Sequence, residues 1–196
     1  MSPISIAFHS MQEVRSMNTV ILFGSPRKDG NTRQLVNAFT EILKKKGHDV
    51  RLLYLNDMNV RPCQGCLACA KAGVCKINDD MKDIRKYMLE SDLIVYATPT
   101  YWWGPSSQLK AVIDRGVSFF DPQYNSRIKG KKAVTLFTCA DTSPDTFAPM
   151  LDMFRRTFDA LALTYLGGAE AAGCEDKGKV GKKALDKTKK LAESLA

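Results

Sequence analysis

The pentapeptide Leu93-Ile94-Val95-Tyr96-Ala97 is apolar at both alternations, so a strand made from it must be covered on both faces, as in the middle of a parallel sheet. Four more segments read as strands: Asn18 to Phe23, Val50 to Leu55, Ala133 to Cys139 and Leu163 to Leu166. Helical patterns lie between them. From Asn31 to Lys46, Leu35, Phe39, Ile42 and Leu43 recur at helical spacing, with Asn31 or Thr32 placed to cap and Gly47 to terminate. Met81, Ile84 and Met88 form the inner face of a helix capped by Asp79 or Asp80. Leu109, Val112 and Ile113 follow Pro105, which is placed near a first helical turn, and Leu151, Phe154, Phe158 and Leu161 follow Pro149. A lysine-rich helix closes the chain. Five strands alternating with helices predict an α/β fold with right-handed crossovers and helices on both sides of the sheet. Ligands of such sheets bind beyond the carboxyl ends of the strands, where strand order reverses. The chemistry is therefore expected in the loops after the first, third and fourth strands.

A chain of 196 residues fits one domain. Residues 1–16 lack the basic start and continuous apolar stretch of a secretory leader, and Met17 directly precedes the first strand. They are expected to be an N-terminal extension to a domain over 17–196. No window approaches the roughly 18 uninterrupted apolar residues of a membrane span, so a cytoplasmic location without membrane contact is expected. The net charge of +8 invites a nucleic-acid reading, but between Lys177 and Lys190 seven lysines stand against one acid, Asp186, and hold most of the excess. That stretch lacks the arginines and interleaved aromatics that read or stack on bases, and a solvated helix face explains it better.

The loop Gly24-Ser25-Pro26-Arg27-Lys28-Asp29-Gly30-Asn31-Thr32 joins the first strand to its helix. Small, turn-forming residues let backbone N–H groups converge on an anion at a helix N-terminus. Ser25, Asn31 and Thr32 add hydroxyl and amide donors, and Arg27 adds charge. Asn31 stands where a Walker A loop needs lysine, and the G-x-G-x-x-G spacing is absent. A single phosphomonoester is the better fit. After the buried strand comes Pro99-Thr100-Tyr101-Trp102-Trp103-Gly104-Pro105. Three consecutive aromatics cannot all point into a core; beside a phosphate cradle they suit a flat ring, or an oligomer interface, or both.

Cys63, Cys66, Cys69 and Cys75 are spaced C-x2-C-x2-C-x5-C. Without an export signal they argue against a disulfide framework. Thiols at intervals of three can be aimed at one centre and a fourth can close it; Gly65, Ala68, Ala70, Ala72 and Gly73 leave room near the sulfurs. A [4Fe-4S] cluster, zinc and free thiols are the alternatives, and the lack of nearby histidine counts against zinc. Cys139 and Cys174 stand alone and read as small buried apolar residues.

Taken in order, G-S-P-R-x-x-G-N-T, the cysteine loop ending in D-D-M, and P-T-Y-W-x-x-P-x-x-x-L-K-x-x-x-D-R resemble the NADPH-dependent FMN reductase and iron-sulfur flavoprotein family, from Val20 to about Ala140. The resemblance implies a flavodoxin-like three-layer sandwich whose five-stranded parallel sheet has the order 2-1-3-4-5. It implies FMN, with its phosphate on Ser25, Arg27, Asn31 and Thr32 and its ring lined by Pro99, Thr100, Tyr101, Trp102, Trp103 and Gly104. The loop Cys139-Ala140-Asp141-Thr142-Ser143 would approach the ring from the other side, with Asp141 as its contact. In the iron-sulfur members the four-cysteine spacing binds a [4Fe-4S] cluster, which gives Cys63, Cys66, Cys69 and Cys75 as metal ligands. A homodimer or homotetramer is also implied.

Neither His9 nor His48 lies near these loops, and no catalytic side chain is named, as suits chemistry carried by a cofactor. The leading expectation is an oxidoreductase passing electrons from NAD(P)H to flavin, a quinone or another small acceptor. The alternative is an electron carrier whose cluster exchanges single electrons with ferredoxin. A zinc- and nucleic-acid-binding module ranks last, because it leaves the phosphate and aromatic loops unexplained.

Overall fold

The computed structural model describes residues 16–143 and 145–195. The expected extension over 1–16 lies, but for Ser16, outside them. The elements run β1 (Asn18–Phe23), α1 (Asn31–Lys45), β2 (Asp49–Tyr54), the one-turn helix α2 (Ala68–Ala72), α3 (Met81–Glu90), β3 (Leu93–Tyr101), β4 (Gly104–Pro105), α4 (Ser107–Asp114), β5 (Lys132–Thr138), α5 (Ala148–Ala160), β6 (Thr164–Ala171) and α6 (Lys182–Glu193). Strand order is β2-β1-β3-β5-β6, all parallel, with β4 paired antiparallel to β3. The α/β parallel sheet is as expected, but the sheet has six strands rather than five. The sixth is the two-residue β4, which its Gly-Pro sequence disguises because neither residue has strand propensity.

Alternation along the strands divides the core. Val20, Leu22, Ile94 and Tyr96 face one side, where Met81, Ile84 and Met88 of α3, Leu109 and Val112 of α4, and Phe154 and Phe158 of α5 cover them. Ile21, Phe23, Val95 and Ala97 face the other, under Leu35, Phe39 and Leu43 of α1 and Ala192 of α6. Helices thus cover both faces, as the doubly apolar β3 requires. No described helix is long and apolar enough to cross a membrane.

Three boundaries differ from the sequence reading. Strand β3 runs on past Ala97 to Tyr101 and folds back as a hairpin, so Pro105 belongs to β4 and Ser106 caps α4, its hydroxyl accepting from the Leu109 amide. The cap residue of α1 is Gly30, with no side-chain cap bond from Asn31 or Thr32. Strand β6 continues through Gly167 and Gly168 to Ala171, with a bulge opposite the Ala133–Thr135 stretch of β5. Gly167 has φ +105°, and a Cβ on Gly168 would sit 2.1 Å from the Thr135 hydroxyl, so both positions demand glycine.

Candidate functional site

Because β1, β3 and β5 are parallel and close together in the sheet, the loops that follow them share its carboxyl edge. The first loop is tightly fastened. Gly24 N–H donates to the Ala97 carbonyl at 2.8 Å, and the Ser106 hydroxyl donates to the Gly24 carbonyl at 2.5 Å. A Cβ on Gly24 would meet Leu109 Cβ at 2.8 Å, so only glycine lets α4 approach. The Tyr54 hydroxyl donates to the Pro26 carbonyl at 2.8 Å. Ser25 Oγ accepts from the Arg27 amide and bonds the Arg27 carbonyl, each at 3.1 Å.

The side chains expected to hold a phosphate divide. Arg27 is exposed, while Ser25, Asn31 and Thr32 are buried. Asn31 is committed elsewhere: Nδ2 donates to the carbonyls of Cys174 (3.1 Å) and Asp176 (2.7 Å), and Oδ1 accepts from the amides of Gly178 (2.9 Å) and Lys179 (3.2 Å). The Thr32 and Thr138 hydroxyls share a 2.7 Å hydrogen bond that ties α1 to the end of β5. What remains is backbone. The amides of Lys28, Asp29, Asn31 and Thr32 have no protein acceptor among the described residues, and the last two open a 15-residue helix. Unpaired amides and a helix dipole make an anion site.

In the second loop Tyr101 pairs with Gly104 across a two-residue turn. Trp102 (φ +48°) and Trp103 (φ +57°) occupy it, both left-handed, the geometry of a type I′ hairpin. Such turns favour Asn-Gly, and bulky residues there store strain. The indoles are 6.0 Å apart, and Trp102 is 90% exposed; Tyr101 and Trp103 are also exposed, in line with their expected place outside the core. Pro99, Thr100 and Gly104 are half-buried. Thr100 Oγ1 is buried with no partner, a polar atom awaiting one at the edge of the site.

In the third loop the Asp141 carboxylate is spent locally, accepting from the Thr146 hydroxyl and the Ser143 amide. These bonds hold its pKa below the usual carboxylate range. Its backbone carbonyl accepts from Gly173 N–H at 2.9 Å and the Cys139 thiol at 3.1 Å. Cys139 and Cys174 are buried, as expected. The amide donors and the unpartnered Thr100 hydroxyl, beside a strained aromatic hairpin, fit a ligand with one phosphate and one flat ring. A cavity of about 670 Å³ at the opposite end of β1 and β2, lined by Thr19, Arg51 and Tyr87 among others, contains none of these groups.

The cysteine loop is turned by left-handed Gly65, Leu67 and Gly73 and by α2. Cys63 and Cys66 are exposed, and Cys69 and Cys75 half-buried. Four thiols on a loop of small residues are the right donors for an iron-sulfur or zinc centre. Among the described residues, however, no three His, Cys, Asp or Glu side chains are gathered closely enough to hold an ion.

Two residues that shape these loops escape a local reading. Ser106 fixes both the Gly24 turn and α4. Arg115, within the expected D-R motif, reaches Asp79 at 2.6 Å, 36 residues away.

The family model for NADPH-dependent FMN reductase matches residues 17–171. An iron-sulfur flavoprotein of Archaeoglobus fulgidus is 28% identical over 181 residues, 92% of this chain and 79% of that one. One from Methanocaldococcus jannaschii is 38% identical over 99 residues, about half of either chain (50% and 51%). Among solved structures, the NAD(P)H:quinone oxidoreductase of Methanothermobacter marburgensis superposes with a TM-score of 0.77 at 19% identity, covering 92% of this chain and 96% of that one. That likeness extends the flavodoxin-like assignment to the fold as a whole.

Proposed function

Since the chain belongs to the NADPH-dependent FMN reductase family, we propose that it is an FMN-dependent oxidoreductase that takes electrons from NAD(P)H and passes them to flavin, a quinone or another small acceptor. The observation that carries this reading is the set of unpaired amides at the start of α1, on the same sheet edge as the Trp102-Trp103 hairpin.

FMN, when bound, supplies the ring that accepts a hydride or single electrons. The amides of Lys28, Asp29, Asn31 and Thr32 hold its phosphate, with Arg27 adding charge from the rim. Thr100 Oγ1 supplies the polar contact at the ring edge, and the Trp102 and Trp103 indoles flank the ring and exclude water from one side. The 139–143 loop closes the other side with its backbone. No side chain is assigned proton transfer: His48 is buried, its Nδ1 accepting from the Met17 amide, at the far end of the sheet. The exposed aromatics suit a homodimer or homotetramer in which a neighbour completes the site.

A second reading is favoured by one observation, the C-x2-C-x2-C-x5-C spacing in a chain whose relative named an iron-sulfur flavoprotein spans 92% of it. On that reading the cysteines hold a [4Fe-4S] cluster and the partner is a one-electron donor or acceptor such as ferredoxin.

The absorption spectrum of protein purified without air, with iron and acid-labile sulfide assayed alongside, separates the two. Flavin bands without iron support the reductase; flavin with about four irons per chain supports the cluster protein. Colourless protein that does not take up FMN overturns both.

A further inference from the structure

The four-cysteine loop is fastened at its neck by one buried side chain. Arg115 is 2% exposed. Its Nη1 donates to Asp79 Oδ2 at 2.6 Å and to the Arg61 carbonyl at 3.2 Å, and Nη2 donates to the Ile77 carbonyl at 3.5 Å. Arg61 precedes Cys63 by two residues and Ile77 follows Cys75 by two, so a single guanidinium holds both limbs of the loop. Asp79 completes the knot by accepting from the Arg61 amide at 2.9 Å and the Met81 amide at 3.2 Å. Arg115 Nε is buried without a partner.

The underside of the loop is cationic as well. The Arg127 guanidinium lies 3.2 Å from where a Gly73 Cβ would stand. Arg85, on the neighbouring α3, donates from Nε to the Ser118 carbonyl at 3.1 Å. Neither arginine forms an ion pair among the described residues. A metal centre held by four thiolates is net anionic, and donors and positive charge next to its sulfurs stabilise it.

We propose that Arg115 is the positioning residue of the four-cysteine loop: it fixes the separation of the Cys63 and Cys75 limbs, so that their thiolates can meet at one metal centre. This rests on the cluster reading of the loop. Arginine suits the role because its planar fork serves several acceptors at once, whereas a lysine ammonium keeps the charge but cannot span the neck.

The test compares full-length wild type with R115K, R115Q and R85Q, purified without air, with FMN binding as the control for folding. Iron and sulfide are measured after anaerobic reconstitution, and trypsin cleavage after Lys71 and Lys76 is followed in the metal-free chains. R115K and R115Q are expected to bind FMN like wild type, to be cut severalfold faster within the loop, and to hold iron about tenfold or more weakly, the usual effect of losing a group that orients a ligand. R85Q removes a charge without touching the neck and is expected to be cut like wild type, with a smaller loss of iron than either Arg115 variant. Wild-type cleavage and iron uptake in R115K overturn the proposal, as does an equal loss in R85Q. If wild type takes up no iron, the cluster reading fails, and cleavage alone decides whether Arg115 closes the neck. If neither Arg115 variant binds FMN, D79N replaces them: it removes the carboxylate anchor and must speed cleavage, and unchanged cleavage refutes the neck.

Discussion

The Asn31 side-chain amide lies 2.7 Å from the Asp176 carbonyl, across 145 residues of sequence. With its bonds to Cys174, Gly178 and Lys179, it locks the segment before α6 against the N-terminus of α1. Asn31 thus shapes the Gly24–Thr32 loop from behind, and only its backbone amide is left free. Replacing it with alanine removes four hydrogen bonds to backbone, one to buried Cys174 and three to the exposed residues Asp176, Gly178 and Lys179, each contributing about 0.5–1.5 kcal/mol net. Asn31→Ala is expected to lose about 2–4 kcal/mol in urea unfolding of the apoprotein. A change within experimental error would mean the segment is held by other contacts.

The hairpin tip predicts opposite signs for stability and binding. Trp102 and Trp103 occupy left-handed positions where Asn-Gly is at ease. Exchanging both for Asn-Gly should raise apoprotein stability by about 1–3 kcal/mol as strain is released. The same exchange should weaken FMN binding at least about tenfold through loss of aromatic stacking. Thermal unfolding and fluorescence titration read the two effects separately. Retained FMN affinity would sink the assignment of these indoles to the flavin.

If backbone amides at α1 hold a phosphate, riboflavin, which lacks it, should bind far more weakly than FMN. Charge-assisted bonds contribute about 1.5–3 kcal/mol each, so two of them predict a difference of at least about a hundredfold. FMN affinity should also fall below about pH 6, where a phosphomonoester takes its second proton, while riboflavin affinity should not. Equal affinities would place the ligand elsewhere.

Much of this was legible in the chain because it depends on local pattern. Leu93–Ala97 announces a central strand, and the small residues of Gly24–Thr32 announce a tight turn into α1 whose amides are left free. The exposed trio Tyr101-Trp102-Trp103 could be predicted because neighbouring side chains diverge. Long-range pairings left no local trace. Asn31 reads as a cap or a phosphate ligand until its partners at 174–179 are known, and Arg115 is only the last residue of the D-R motif until Asp79 is seen beside it. In the sequence, β6 reads as ending at Leu166 because glycine breaks the apolar pattern; the reason for Gly168 is a contact with Thr135 on the neighbouring strand.

The Asp79–Arg115 pair predicts sensitivity to acid. Burial opposes ionisation of Asp79, but the hydrogen bond from Arg115, the Arg61 amide and the arginine charge outweigh it and hold the carboxyl below its ordinary range. A depressed native pKa gives stability that is fully present above the unfolded value of about 3.9 and is lost as pH falls through the native one. Unfolding free energy should therefore drop below about pH 4. Asp79→Asn should flatten that drop while lowering stability at neutral pH by about 3 kcal/mol, because it leaves a buried guanidinium uncompensated. An acid profile unchanged by the substitution would show that the pair does not titrate with folding.

The six thiols should separate by environment in the metal-free chain. Hydrogen bonding to the Ala68 amide lowers the Cys66 pKa despite the opposing effect of burial, and the residue is exposed. Burial, reinforced by the Asp141 charge and by Cys174, pushes Cys139 up to about 11; burial raises Cys174 too. Alkylation proceeds through the thiolate, which at pH 8 is about one part in a thousand of a thiol with a pKa near 11. Iodoacetamide with mass-spectrometric mapping should therefore modify Cys66 first and reach Cys139 and Cys174 only on unfolding. Early labelling of Cys139 would mean that the loop after β5 opens in solution, and would remove it as the rigid far wall of the flavin site.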